Sequence, residues 1–278
     1  MLNSQIDAIL KYALEEDIGT GDITTLSTIP ETARAFGRYI AKEDGILCGI
    51  DVAKRTFELL GAEVEFTVYK KDGDEIKRGD IIAEVSGNAV GVLTGERIGL
   101  NIMQRLSGVA TSTRKAVDAV AGTKAKICDT RKTTPGLRVL EKYAVRVGGG
   151  TNHRFNLADG VLIKDNHIVA AGSITNAVAA AKKSVPHTLK IEVEVEDFDQ
   201  LAEALEAGAD IIMLDNMSVA DMARAVEITN GRAMLEASGN MGERDLFEVA
   251  KTGVDLISIG ALTHSVKALD ISLKFRLL

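Results

Sequence analysis

The chain has 278 residues, room for one barrel-sized domain or for that plus a smaller one, and its 46% hydrophobic and 26% charged residues are the balance of an ordinary globular protein. A net charge of -7 argues against broad binding to nucleic acid or to a membrane surface, and no apolar run reaches the roughly 18 residues that a membrane span needs. Residues 1–27 read as an acidic amphipathic start rather than a signal peptide, and Cys48 and Cys128 offer neither a disulfide framework nor zinc spacing, so two buried thiols in a reducing cytoplasm are expected.

In chain order, residues 3–16 form a helix candidate and residues 17–22 a turn. Strands are expected over 34–41, 63–68 and 80–85, around a helix over 50–60, and the acidic run 72–80 reads as turn chemistry. This pattern predicts a small α+β domain over residues 1–108, leading into a helix that starts near Gly95.

A different beat then takes over. Short β-branched runs at 125–128, 161–163, 190–195, 211–214, 233–235 and 256–259 each end in a charged or glycine-rich turn, followed by an amphipathic helix. Phe198, Leu201, Ala202 and Leu205 fall on one helical face behind an Asp197/Gln200 capping box, and Val219, Met222, Ala223 and Val226 repeat the spacing behind Ser218. Gly208 and Gly253 suit helix C-caps. Successive βα units of this kind predict a parallel sheet rolled into a closed or nearly closed barrel.

Barrel chemistry gathers at strand C-termini, and the beat places Asp129, Arg131, Lys132, Lys164, Glu194, Asp215 and Glu236 there. Each could equally cap a helix or join an ion pair. Glu192 shares a strand face with Glu194, and pairing with a lysine is its plainest role. Residues 124–167 hold nine Lys or Arg against four Asp or Glu, a local balance of +5, while the rest of the chain carries 24 bases and 36 acids. Such a sign reversal points to a focused positive cleft for a small, highly charged anion. The turns Ser238-Gly239-Asn240-Met241-Gly242 and Ser258-Ile259-Gly260-Ala261, after the last two strands, suit a phosphate held by backbone amides. Gly148-Gly149-Gly150 is either a third such turn or a hinge, and His167, His187 and His264 read as structural or surface residues.

These motifs taken together are more specific than any one alone. Gly95-Glu96-Arg97, Leu106-Ser107-Gly108, the run from Asp129-Thr130-Arg131-Lys132 to Arg138, and Lys142 to Gly150 are followed by Asn152-His153-Arg154, Leu162-Ile163-Lys164-Asp165-Asn166-His167, Glu192-Val193-Glu194, Leu214-Asp215-Asn216 and Glu236-Ala237-Ser238-Gly239. In that order, from about Glu16 to Leu273, the chain resembles the quinolinate phosphoribosyltransferase family.

The resemblance implies an α/β fold, an open or incomplete parallel TIM-like barrel over residues 109–264, preceded by a smaller α+β sandwich that the C-terminal segment 265–278 joins. It implies phosphoribosyl transfer from phosphoribosyl pyrophosphate to quinolinate with decarboxylation, using Mg2+, in a cytoplasmic homodimer. Arg131, Arg154 and Lys164 would hold quinolinate, with His153 either touching it or orienting a neighbour, and Arg97 would reach the site of the adjoining subunit. Lys132 would bridge toward pyrophosphate, Glu194 and Asp215 would face the ribose and its metal, and Ser238, Gly239, Asn240, Gly260 and Ala261 would hold the 5′-phosphate. Asn240 stands where many relatives have a second glycine.

Three other readings stay open on the residues alone. A molybdenum-transport relative of the same fold would not consume quinolinate; a Schiff-base aldolase would use Lys164 and leave the neighbouring cations unexplained. A non-catalytic phosphosugar binder would bind phosphoribosyl pyrophosphate without turnover.

Overall fold

The computed structural model describes residues 4–278; Asn3, the first residue of the expected opening helix, lies outside them. Among the described residues the chain runs α1 (Ser4–Ile18), α2 (Ile23–Thr28), β1 (Arg34–Ala41), β2 (Gly45–Ile46), α3 (Ile50–Leu59), β3 (Val64–Val68), β4 (Glu75–Ile76), β5 (Ile81–Asn88) and the long α4 (Ala89–Ala119). It continues through β6 (Lys126–Cys128), α5 (Arg138–Val147), β7 (Val161–Ile163), α6 (Asp165–Ala171), α7 (Ile174–Ser184), β8 (Ile191–Val195), α8 (Phe198–Ala207) and β9 (Ile211–Asp215). Then come α9 (Val219–Thr229), β10 (Met234–Ser238), α10 (Leu246–Lys251), β11 (Leu256–Ser258), α11 (Ala261–His264) and β12 (Ile271–Leu277).

Two compact units result. The first comprises residues 1–114, 134–149 and 266–278, and the second comprises 115–133 and 150–265. In the first, an antiparallel sheet in the order β12-β1-β5-β3 buries one face, as the alternating burial of β1 requires. Tyr39, Ala83 and Val85 on that face pack with Phe57 of α3 and Met103 of α4 in one apolar cluster. The turn expected at residues 17–22 leads straight into α2, a helix not anticipated, because the Asp22 carboxylate accepts from the Thr25 amide at 3.0 Å and starts a new turn of helix.

The second unit carries the βα beat. Its six parallel strands lie in the order β6-β11-β10-β9-β8-β7, so consecutive strands neighbour one another except at β6, which pairs with β11. β6 and β7, adjacent in the chain, stand at opposite edges. The barrel is therefore open there, as the resemblance implied, and short of the closure that the repeat count alone suggested. Val193, Val195, Leu201, Ile212, Leu235 and Ile257 fill the layer between strands and helices with almost no exposure. Burial of each such side chain is worth about 1.5–3 kcal/mol, which holds the strand tips at fixed positions. The helix caps form at the expected residues: Asp197 accepts from the Gln200 amide at 2.8 Å, Ser218 from the Asp221 amide at 3.1 Å, and Gly208 ends α8 at φ +72°. Gln200 departs from a strict capping box by accepting from the Glu196 amide at 2.9 Å rather than from that of Asp197.

Candidate active site

The C-terminal ends of the six strands surround a cavity of about 710 Å3. Arg131 and Lys132 follow β6, His153 and Arg154 precede β7, Lys164 ends it, and Glu194 and Asp215 sit on β8 and β9; all of them line the cavity. Strand register explains the grouping. Glu194 and Glu236 both stand opposite Met213, one row deeper than the pair Asp215 and Ser238.

The phosphate-type turns form another stretch of wall. Ser238, Gly239, Asn240, Gly260 and Ala261 line the cavity as well. Gly239 has φ +95°, and a Cβ there would collide with the Asn216 side chain. Asn240 has φ +51°, a left-handed conformation that asparagine tolerates better than other side chains, so the loop keeps its path without a second glycine. At Gly260 a Cβ would stand 3.0 Å from Lys132 Cδ, so the bare backbone leaves Lys132 its room. The Thr263 hydroxyl donates to the Lys132 carbonyl at 2.8 Å, and the Lys132 amide to the Thr130 hydroxyl at 3.0 Å, fixing the segment that presents this ammonium.

Charge on the walls is partly paired. Lys164 Nζ is bound by the Glu194 carboxylate. Arg154 donates to the Gly160 carbonyl at 3.1 Å, and its guanidinium affinity for protons is lowered, first by burial and next by the Arg131 charge. Two guanidinium groups near each other, one of them partly desolvated, favour an anionic ligand.

Beneath them lies a buried trio. The Asp129 carboxylate, fully buried, accepts from Asn152 Nδ2 at 2.6 Å and from the His153 amide at 2.9 Å, which sets the loop. His153 Nδ1 accepts from the Arg154 amide at 2.8 Å, so the proton of a neutral ring sits on Nε2. That nitrogen faces Glu192 Oε2 at 3.1 Å and Glu236 Oε2 at 3.7 Å. The ligand-type atoms of His153, Glu192 and Glu236 all lie within 4.8 Å of one another, near enough for one proton or one small cation to be shared. Glu194 and Asp215, which line the cavity, offer the all-oxygen donors that Mg2+ prefers.

Of the strand-end and substrate-binding residues expected from the sequence, all but Asp129 and Arg97 line the cavity; Arg97 lines a hollow of the first unit with Asp17, Asp22 and Thr94. Glu192 pairs with His153 and not with a lysine; the lysine goes to Glu194. His264, expected at an ordinary surface position, lines the cavity, its ring 3.2 Å from where a Gly260 Cβ would stand. Gly148 lies in the first unit, where a Cβ would press on the Ala110 carbonyl and the Thr113 side chain, so the triple glycine allows close helix packing and does not line the cavity. His167 is structural as expected, its Nδ1 accepting from the Lys164 amide at 3.0 Å. Both cysteines are buried, also as expected.

Two family models match the chain: the quinolinate phosphoribosyl transferase N-terminal domain over residues 22–107 and the C-terminal domain over residues 109–274. The chain is 49% identical over 273 residues to a probable nicotinate-nucleotide pyrophosphorylase (carboxylating) of Bacillus subtilis (strain 168), covering 98% of this chain and 94% of that protein. A chloroplastic nicotinate-nucleotide pyrophosphorylase (carboxylating) of Arabidopsis thaliana is 45% identical, over 97% of this chain and 82% of that protein. The solved structure of the nicotinate-nucleotide pyrophosphorylase from Francisella tularensis superposes with a TM-score of 0.93 at 43% identity, covering 99% and 98% of the two chains.

Proposed function

The chain belongs to the quinolinate phosphoribosyl transferase family, and from that premise we propose that its barrel cavity transfers the phosphoribosyl group of phosphoribosyl pyrophosphate to quinolinate with decarboxylation, giving nicotinate mononucleotide, pyrophosphate and carbon dioxide. The observation that carries this reading is the meeting of four cations, two after β6 and two flanking β7, with two glycine-type turns on one cavity. One substrate is a dicarboxylate and the other carries phosphate and pyrophosphate, so a smaller set of cations would leave one of them unmatched.

In this reading Arg131, Arg154 and Lys164 hold the quinolinate carboxylates, guanidinium forks suiting planar carboxylates and the lysine acting as a point charge. Lys164 comes to the substrate already paired with Glu194. A substrate carboxylate competes for that ammonium and frees a Glu194 oxygen to turn toward the ribose. Lys132, given room by the bare backbone at Gly260, reaches the pyrophosphate. Backbone amides of Ser238 to Asn240 and of Gly260 and Ala261 take the 5′-phosphate.

The pyridine nitrogen then attacks the ribose carbon as its bond to pyrophosphate breaks. Positive charge grows on the ribose ring, and the fixed carboxylates of Glu194 and Asp215 stabilise it without bonding to it. The same two carboxylates would hold Mg2+, through waters; the ion supplies neutralisation of the leaving pyrophosphate. Ribosylation makes the pyridine nitrogen cationic, so when the C2 carboxylate leaves as carbon dioxide the ring accepts the electron pair, and a proton completes C2.

Arg97 is read as reaching the quinolinate bound by a second copy. The smallest complete enzyme is then a homodimer in which the partner's Arg97 enters each site. A cytoplasmic setting suits the two buried thiols. The test is incubation with quinolinate, phosphoribosyl pyrophosphate and Mg2+. Nicotinate mononucleotide and carbon dioxide should appear in equal amounts, and their absence with the folded protein would remove the proposal.

A further inference from the structure

Of the groups around the cavity, the trio His153, Glu192 and Glu236 has no part in the transfer as described. Its two carboxylates are incompletely hydrogen-bonded. The single proton of a neutral His153 ring reaches Glu192 at 3.1 Å, while Glu236 stays at 3.7 Å, beyond a hydrogen bond. Both Glu236 oxygens and Glu192 Oε1 are left with no hydrogen-bond partner, in residues only 1% and 4% exposed. Two adjacent carboxylates so buried cannot both keep their charge cheaply.

Building on the assignment of this cavity to quinolinate, we infer that Glu236 controls entry of the pyridine dicarboxylate by means of its proton: protonated, it leaves the cavity floor neutral enough for a dianion, and ionised, it repels the substrate carboxylate. Groups from every neighbouring element bear on it. Glu192 on β8 opposes ionisation, whereas His153 in the loop before β7 and Lys164 at the end of β7 favour it. On β11 the Ser258 hydroxyl donates to the Ala237 carbonyl at 3.4 Å and also favours ionisation of Glu236, while β9 presents the apolar Met213 in register. Burial, and then the Glu192 charge, outweigh the cations and push the Glu236 carboxyl up from an ordinary 4.5 to about 7. The gate therefore works in the range where a cell operates.

A dianion arriving nearby raises the proton affinity of Glu236 further, so binding above pH 7 takes up a proton. Glu236 is a positioning residue in this scheme; Arg131, Arg154 and Lys164 still make the contacts. Glu236→Gln keeps the shape and fixes the neutral state.

The test is calorimetric titration of the full-length protein with quinolinate alone. For the wild type, affinity should weaken about tenfold for each pH unit above about pH 7, and near pH 8 two buffers of different ionisation enthalpy should report uptake of about one proton. Glu236→Gln should bind with little change across that range and take up no proton. A flat wild-type profile, or an unchanged slope in Glu236→Gln, would overturn the inference. Should that variant fail to fold, the wild-type proton count decides alone: about one proton supports the gate and none refutes it. Roughly one equivalent of divalent metal kept by chelator-treated wild type, and lost in the variant, would also overturn it, because the cation would then occupy those oxygens. Failure of quinolinate to bind at any pH would instead remove the reading of the cavity itself.

Discussion

The walls and the floor of the same cavity are built on opposite principles. On the walls, Arg131 and Lys132 are exposed and Arg154 and Lys164 half-buried, all four lining the cavity where a ligand can reach them. On the floor, Glu192 and Glu236 are almost wholly buried and short of partners. Exposed cations lose little solvation until the substrate arrives, so they can be collected for binding at small cost to the fold. Buried carboxylates are already desolvated before any ligand arrives, and that makes them sensitive to a single proton. The contrast suggests that walls set affinity and chemistry, whereas the floor sets the conditions under which they act.

The largest effects should come from the walls. Lys132→Ala and Lys164→Ala are each expected to lower turnover on the order of a hundredfold or more with the far-ultraviolet dichroism spectrum unchanged, since each removes a charge from developing anion or substrate. Near-normal rates in both variants would detach the chemistry from these walls.

The floor should reveal itself in stability rather than in rate. Because the folded Glu236 carboxyl titrates near 7 and an ordinary one near 4.5, its contribution to stability is fully present below 4.5 and is lost as pH rises through 7. That loss amounts to about 3 kcal/mol. Urea midpoints should therefore fall between acid and mildly alkaline pH in the wild type, and Glu236→Gln should lack this part of the fall. An identical pH dependence in the two proteins would mean that the floor carries no strained proton equilibrium.

A smaller signal tests the proposed dimer. Arg97→Ala mixed with Lys164→Ala should recover about a quarter of wild-type activity, because half the dimers are then hybrids and each hybrid has one intact site. No recovery despite demonstrated subunit exchange would place Arg97 outside the site.

Much of the wall was legible in the sequence, and little of the floor. The βα beat put Lys164, Glu194 and Asp215 at strand tips, and the glycine turns after β10 and β11 fell where the cavity lies, because strand alternation and turn chemistry are local properties. The surroundings of His153 are not local. Its tautomer is set by the neighbouring Arg154 amide, but its partners Glu192 and Glu236 come from strands far along the chain. Register across a parallel sheet brings them together, and spacing in the sequence does not announce it. The charge count also overstated the cleft. Lys142 is fully buried in the first unit and Lys124 pairs with Asp255 at 2.8 Å, so part of the basic window serves the fold. His264 gave no sign at all, because its place on the cavity follows from the close approach that Gly260 permits.

The most direct measurement is the product balance of the purified protein given quinolinate labelled at the C2 carboxylate, phosphoribosyl pyrophosphate and Mg2+. One labelled carbon dioxide should be released for each nicotinate mononucleotide and each pyrophosphate formed. Tight binding of both substrates with no pyrophosphate released would contradict the account and leave a phosphosugar-binding barrel in its place.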